Sequence, residues 1–315
     1  MNVLVSLFNS LPGAAGQGLI WGIMAIGVYL TYRILDVADL TVDGSLGTGG
    51  AVCVVMVLNG APVGLALLAA TAAGMLAGLV TGLFHTACGI PAILAGILTQ
   101  LALYSVNLRI MGFGTGGGKA NLPISVDKYS LLVSARYVRN VALNNPILIL
   151  AIFCAVLIAV LYWFFGTELG CSLRATGANQ NMARAQGINT NVAKVLGLMI
   201  SNGLVALAGG LLAQYQGFSD INMGRGAIVI GLAAVIIGEV IFSRIFRNFA
   251  LKLLSAVIGA IIYYIVMVFV LRLGLSTDDL KLLTALVVAL FLTIPYWKGK
   301  YFTKTSVKKG EKNHA

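Results

Sequence analysis

The sequence predicts an all-α fold: a polytopic transmembrane helical bundle of about nine spans (8–10), with a short cytoplasmic helix between two of them. Three observations carry this. Of 315 residues, 59% are hydrophobic and only 10% charged, whereas soluble domains are about 45–50% apolar and about 25% charged. Stretches 140–167, 195–219 and 226–238 contain no charge at all. Each charge at a helix centre costs about 2.5–3.5 kcal/mol on insertion scales, so such gaps are what spans require. Finally, glycine is abundant at 38 residues and proline scarce at six. Small residues let membrane helices approach closely, and Gly18/Gly22, Gly74/Gly78 and Gly78/Gly82 have the small-xxx-small spacing.

Hydropathy places the spans near 16–30, 45–58, 63–84, 91–111, 146–165, 191–215, 227–242, 251–271 and 282–296. The second is short and glycine-rich. A short amphipathic helix over 3–11 precedes the first. Residues 1–297 form one transmembrane domain with a cytoplasmic loop at 166–190, and 298–315 form a basic cytoplasmic tail. No basic segment precedes the first apolar stretch, so a cleaved signal peptide is not expected.

Orientation follows from lysine and arginine. The tail carries Lys298, Lys300, Lys304, Lys308, Lys309 and Lys312, which puts the C-terminus in the cytoplasm and, with nine spans, the N-terminus outside. Arg33, Arg174, Arg184, Lys194, Arg244, Arg247 and Lys252 join the tail, making thirteen inside against eight outside. The tail also suits anionic lipid headgroups.

The scattered cysteines Cys53, Cys88, Cys154 and Cys171 lack CxxC spacing and read as small apolar residues. His85 and His314 are too few and too far apart for a metal site. Loop 112–145 holds Gly114, Gly116, Gly117 and Gly118, but no GKS or GKT ending and no plausible preceding strand, so it is a flexible outer loop and not a phosphate cradle.

The most informative stretch is 168–188, ELGCSLRATGANQNMARAQGI. It interrupts the apolar pattern with Asn179 as N-cap, a helical body over 181–186 and Gly187 as stop. Such a helix has nothing of its own to bury, so it either packs on a partner or is a solvated loop.

The run LRATGANQNMARAQGINTNVAKVLGLMISNGLVALAGGLLAQYQG over 173–217 resembles the coupling loop and following span of ABC importer permeases of the branched-chain amino acid/ribose type, which show R-A-x-G-x-N-x-x-A-A/R-x-x-G-I-N. GLAAVIIG at 231–238 and the break ADLTVDGSLGTGG agree, and the resemblance covers nearly the whole chain. LDVADLTVDGSLGTGG together with VIIGEVIF is most similar to the tryptophan/tyrosine-type uptake permeases. The N-F-A-H-G-like break of branched-chain permeases is missing, and ribose-type relatives have a related D-L-S-V-G break. That departure argues against branched-chain substrates without choosing between amino acids and sugars.

The resemblance implies a permease subunit, not an enzyme, that moves a small solute such as an aromatic amino acid. It implies ABC ATPase subunits binding ATP and Mg, with no cofactor in this chain. It further implies an extracellular or periplasmic solute-binding protein, a second permease subunit forming a homodimer, and a bacterial plasma (inner) membrane location. No G-x-x-x-x-G-K-[ST] motif occurs, so the chain does not itself hydrolyse ATP. ATPase coupling falls to Arg174, Asn179, Met182, Ala183, Gly187 and Ile188.

Thr41, Asp43, Gly44, Ser45, Gln100 and Asn202 are candidates for the translocation path, because polar and helix-breaking residues at membrane depth mark such paths. The alternative for Asp36, Asp39 and Asp43 is a solvated turn with Arg33 as partner, and for Gln100 and Asn202 interhelical hydrogen bonding. Glu239 is expected to pair with Arg244 or Arg247, or to contact the coupling region. Lys119, Lys128, Arg136, Arg139 and Arg225 either dock a binding protein or are simply solvated. Competing readings are a sugar or nucleoside importer of the same family and an ion-coupled secondary transporter. The latter calls for paired carboxylates or broken helices in both halves, and the second half shows neither in its letters. A membrane enzyme lacks a catalytic cluster.

Overall fold

The computed structural model describes residues 2–113, 117–125, 128–129, 131–138, 145–242, 245–246, 248–272, 282, 284–286, 288–291 and 293. The helices are α1 (Asn2–Tyr29), continued by a π turn at Leu30–Ile34, then α2 (Val42–Leu58), α3 (Val63–Thr86), α4 (Ala92–Met111) and α5 (Pro146–Gly166). After them come α6 (Glu168–Ala178), α7 (Gln180–Ala185), α8 (Thr190–Gln216), α9 (Ala227–Phe242) and α10 (Phe249–Arg272). Among the described residues the fold is helical apart from an antiparallel ribbon of β1 (Asn121–Pro123) and β2 (Phe218–Asp220), in which Leu122 faces Ser219.

Local signals set several boundaries. Asn145 caps α5 through Ile147 N, with Pro146 in the first turn where its missing N–H costs nothing. Asn189 accepts from Asn191 N and Val192 N at the start of α8, and Gly217 at φ 80° ends it.

The centre is built on α1 and α8. Their best apolar windows are 83% and 67% buried, against 22% and 28% for α4 and α5. Those outer helices turn Leu98, Leu101, Ile152 and Val156 outward, an apolar exterior that suits lipid and not water. Gly16 lies on Tyr215 and Gly27 on Ser201, so α1 and α8 run antiparallel between a ribbon end and an α6–α7 end. The glycine spacing works as predicted. Gly18 and Gly22 seat Ile261 and Val257 of α10, while Gly74, Gly78 and Gly82 meet α8 at Asn202, Leu198 and Val195. Between α2 and α8, Gly49 meets the Ala206 carbonyl and Gly209 the Leu46 carbonyl, bringing the two backbones into contact.

The expected count of about nine spans is not confirmed. Among the described residues, six helices are long and apolar enough to cross a membrane. With 17 and 16 residues, α2 and α9 extend about 25 Å at 1.5 Å per residue, short of an apolar core of about 30 Å. The expected ninth span, 282–296, and the basic tail fall largely or wholly outside the described residues. The separate helix over 3–11 is also corrected. α1 runs unbroken through Pro12, which removes one hydrogen bond without stopping a helix whose next turns, at Ala14 and Gly16, are already packed.

Both short helices start inside the bundle. The α2 entry at Leu40 and Thr41 lies against Gly96, and Gly44 lies against Gln100 and Leu103 of α4. Ser45 bonds Asn202, midway along the 27-residue α8. α9 starts beside Asp43 and ends near the π turn of α1. The letters showed a break in the first half only, and the structure has one in each half.

Candidate functional site

The α1–α2 connector carries a buried polar chain. Asp39 is 2% exposed. Its Oδ1 accepts from Thr41 N at 2.9 Å, a turn typical of aspartate two residues before its donor. Its Oδ2 accepts from Asn202 Nδ2 at 2.6 Å, and Asn202 Oδ1 accepts from Ser45 Oγ at 2.6 Å. A hydroxyl ladder continues outward, with Thr41 Oγ1 at 2.7 Å from Thr81 Oγ1, which donates to Thr99 Oγ1 at 2.9 Å. Thr41, Ser45 and Asn202 are therefore tied into one network joining α2, α3, α4 and α8, and all three are fully buried. Asp36, by contrast, is exposed.

Asp43, Gly44 and Gln100 lie elsewhere. They line a cavity of about 290 Å³ with Leu101, Tyr104, Asn107, Ile221 and Arg225. Asp43 Oδ2 accepts from Gly226 N and its Oδ1 from Ile228 N, both at 2.9 Å, so the carboxylate caps α9. Two helix starts, each with its partial positive charge, thus converge on one carboxylate. The candidates for the path separate into a packed network and a cavity wall. Arg225, grouped by sequence with the outer cations, stands in that wall. Lys119, Lys128 and Arg136 are exposed on the loop segments at the ribbon end, Lys128 over the Tyr129 ring at 5.6 Å from its centroid. Arg139 lies outside the described residues.

At the opposite end α6 and α7 form a compact hairpin. Asn179 Oδ1 accepts from Met182 N at 3.1 Å, capping α7 as expected. Gly187 at φ 80° ends it, with Gly187 N bonded to Arg184 O and Ile188 N to Ala183 O, the Schellman closure. The helix starts one residue earlier than expected. Met182 is 62% exposed, while Ala183 is 2% exposed. Ala183 therefore packs inward, and Met182 is the exposed residue of the two. Arg184 Nε donates to Thr190 Oγ1 at 2.9 Å, fastening the hairpin to α8. Gly177 sits on the Ile34 carbonyl, fastening it to α1.

Arg174 lines a second cavity, of about 580 Å³, with Tyr29, Arg33, Glu239, Phe249 and Lys252. Here Glu239 pairs with Arg33 at 2.9 Å. The expected partners Arg244 and Arg247 lie outside the described residues. The reason for the Arg33 pairing is tertiary: α9 delivers Glu239 beside the end of α1.

Sequence reasoning left a solvated turn open for Asp39, which its burial rules out, and did not single out Thr81, Thr99 or Tyr104. The Asp39-Leu40-Thr41 spacing was the one local signal, since aspartate readily bonds the backbone two residues on.

Residues 11–294 match the family model described as "Branched-chain amino acid transport system / permease component". The chain is 41% identical over 278 residues to a protein of Clostridioides difficile (strain R20291) described as a tyrosine transport system permease protein, covering 88% of each. It is 36% identical to an uncharacterised protein of Rickettsia prowazekii (strain Madrid E), covering 93% of this chain and 98% of that one. It is 29% identical to an autoinducer 2 import system permease protein of Salmonella typhi, covering 69% of this chain and 59% of the relative. Among solved structures, PsaBC from Streptococcus pneumoniae in complex with Fab aligns with TM-score 0.53 at 16% identity, over 95% of this chain and 98% of that one, a likeness of fold. With a bundle of apolar helices, two of them begun inside it, and a capped hairpin at one end, the chain belongs to the branched-chain amino acid transport system permease family of ABC transporters.

Proposed function

We propose that the chain is the membrane subunit of an ATP-driven importer for an amino acid of the aromatic class. One observation carries this reading: the 41% identity, over 88% of both chains, to a protein described as a tyrosine transport permease. Two copies form the path between them. An ATPase pair binds ATP and Mg and docks on the α6–α7 hairpin. A solute-binding protein docks at the ribbon end, where Lys119, Lys128 and Arg136 supply positive charge, and the complex sits in a bacterial plasma membrane with the hairpin inside.

The geometry supports this assignment of roles. A hairpin with a stiff, doubly capped helix, an outward Met182 and anchors on α1 and α8 passes a push from a partner to both central helices. Alternating access then requires two packings of the bundle that the ATPase binds with different affinity.

The test is ATP-driven uptake of radiolabelled L-tyrosine into proteoliposomes holding the chain with the ATPase encoded beside it and its binding protein. Met182→Glu is expected to lose ATPase co-purification and uptake while the melting temperature of the permease stays unchanged. Uptake that persists without the ATPase favours an ion-coupled carrier and sinks the importer reading. Uptake of ribose or a nucleoside in place of tyrosine sinks the choice of solute.

A further inference from the structure

We propose that the cavity between α2, α4 and the α8–α9 connector is a solute subsite for the zwitterionic head group of an α-amino acid. This rests on the importer reading and adds a binding station in the permease itself.

The cavity, about 290 Å³, matches the lower end of small-ligand pockets at about 300 Å³. Its polar lining has both signs of charge. Arg225 is exposed and makes no ion pair among the described residues, so its planar fork is available to a carboxylate. Asp43 spends one acceptor position of each oxygen on Gly226 N and Ile228 N. An ionised carboxylate has about four such positions, which leaves capacity for an ammonium group. Asn107 is 2% exposed, and its Nδ2 reaches Gly44 O at 3.5 Å, while its Oδ1 has no hydrogen-bond partner. A buried acceptor without a partner costs about 1–3 kcal/mol, a cost that a hydrogen bond from an ammonium donor would remove. Gln100 and Tyr104 add an amide and a phenol, and Leu101 and Ile221 add apolar wall.

The two helix starts explain why a charged head group is held at this depth. Transporters with discontinuous helices aim helix N-termini at anionic solute groups. Here the starts of α2 and α9 share Asp43 and lie next to Arg225, so the carboxylate of a zwitterion meets positive potential while its ammonium meets Asp43 and Asn107. A neutral sugar would use neither charge.

The experiment is equilibrium binding of tritiated L-tyrosine to the purified full chain in nanodiscs. It is competed by tyramine, which lacks the carboxylate, and by 3-(4-hydroxyphenyl)propionate, which lacks the amine. The wild type is expected to prefer L-tyrosine to both. Arg225→Gln is expected to weaken L-tyrosine about tenfold and erase its advantage over tyramine. Asn107→Leu, with Asn107→Ser as a milder second variant, is expected to narrow its advantage over the propionate by a similar factor. Hydrogen bonds to charged groups are of that size. Because each variant changes selectivity for one pole, a general folding defect does not mimic the result. No L-tyrosine binding, binding indifferent to the head group, or folded variants with wild-type selectivity overturns the subsite even where vesicle uptake persists. Head-group-selective binding that the variants alter, in a chain that drives no uptake, keeps the subsite and removes the importer reading.

Discussion

The carboxylate of Asp43, in the first turn of α2, caps α9 from 185 residues away through Ile228 N at 2.9 Å, with Gly226 N at the same bond length on its other oxygen. One side chain therefore fixes where two short helices begin. Asp43→Ala leaves both N–H groups without their acceptor and is expected to cost about 1–2 kcal/mol, the range of a lost N-cap. Asp43→Asn, which keeps one oxygen, is expected to cost about half as much. Thermal unfolding of the purified chain in detergent reads both, and equal melting temperatures for wild type and Asp43→Ala would refute the capping role.

Asn202 holds the buried polar chain together by donating to Asp39 and accepting from Ser45. Asn202→Ala strands a buried carboxylate and a hydroxyl, at a cost of about 3 kcal/mol. The exchange Asp39→Asn with Asn202→Asp keeps one amide and one carboxylate in contact. It is expected to recover more than half of the loss, measured as the melting temperature and monodisperse yield of the double variant.

Close backbone contact between α2 and α8 depends on missing side chains. A methyl group at Gly49 overlaps the Ala206 carbonyl, so Gly49→Ala is expected to destabilise by about 1–3 kcal/mol, as overpacking does. Gly64, in the first turn of α3, has nothing near its missing Cβ. Gly64→Ala is expected to stabilise by about 0.5 kcal/mol through lower chain entropy. Opposite signs in one unfolding series check the argument.

Gly187 ends α7 in the left-handed region. Gly187→Ala is expected to cost about 1 kcal/mol locally, and Asn179→Ala a similar amount at the other end. Hydrogen exchange should show faster opening of 179–188 in both variants, with α1 and α8 protected as in the wild type. Unchanged exchange in the hairpin would contradict the capping account.

The Arg33–Glu239 pair joins the ends of α1 and α9, but its side chains are 58% and 29% exposed. Solvent screens it, so Glu239→Gln is expected to shift stability by less than about 1 kcal/mol. A larger drop in melting temperature that Arg33→Gln does not add to would show that the pair is worth more than its exposure allows.

Sequence and structure divide the information along the reach of each interaction. The apolar runs of α3, α4, α5, α8 and α10 were legible, because insertion into lipid depends on composition summed along one segment. So were the cap at Asn179 and the stop at Gly187, because capping is settled within a few residues. Helix contacts at Gly18, Gly22, Gly74 and Gly78 were legible as spacing, though not their partners. The tertiary structure alone decided that α9 begins at Asp43, that Asp39 joins Asn202, that Glu239 meets Arg33, and that Ala183 faces inward while Met182 faces out. Each of the three pairings spans more than 160 residues, and no local pattern records which distant donor a carboxylate will find. By itself the sequence determined a family and a bundle of apolar helices. The packing of those helices decided which polar residues share a buried network and which stand around a cavity, because burial and hydrogen-bond partners exist only once the helices are placed.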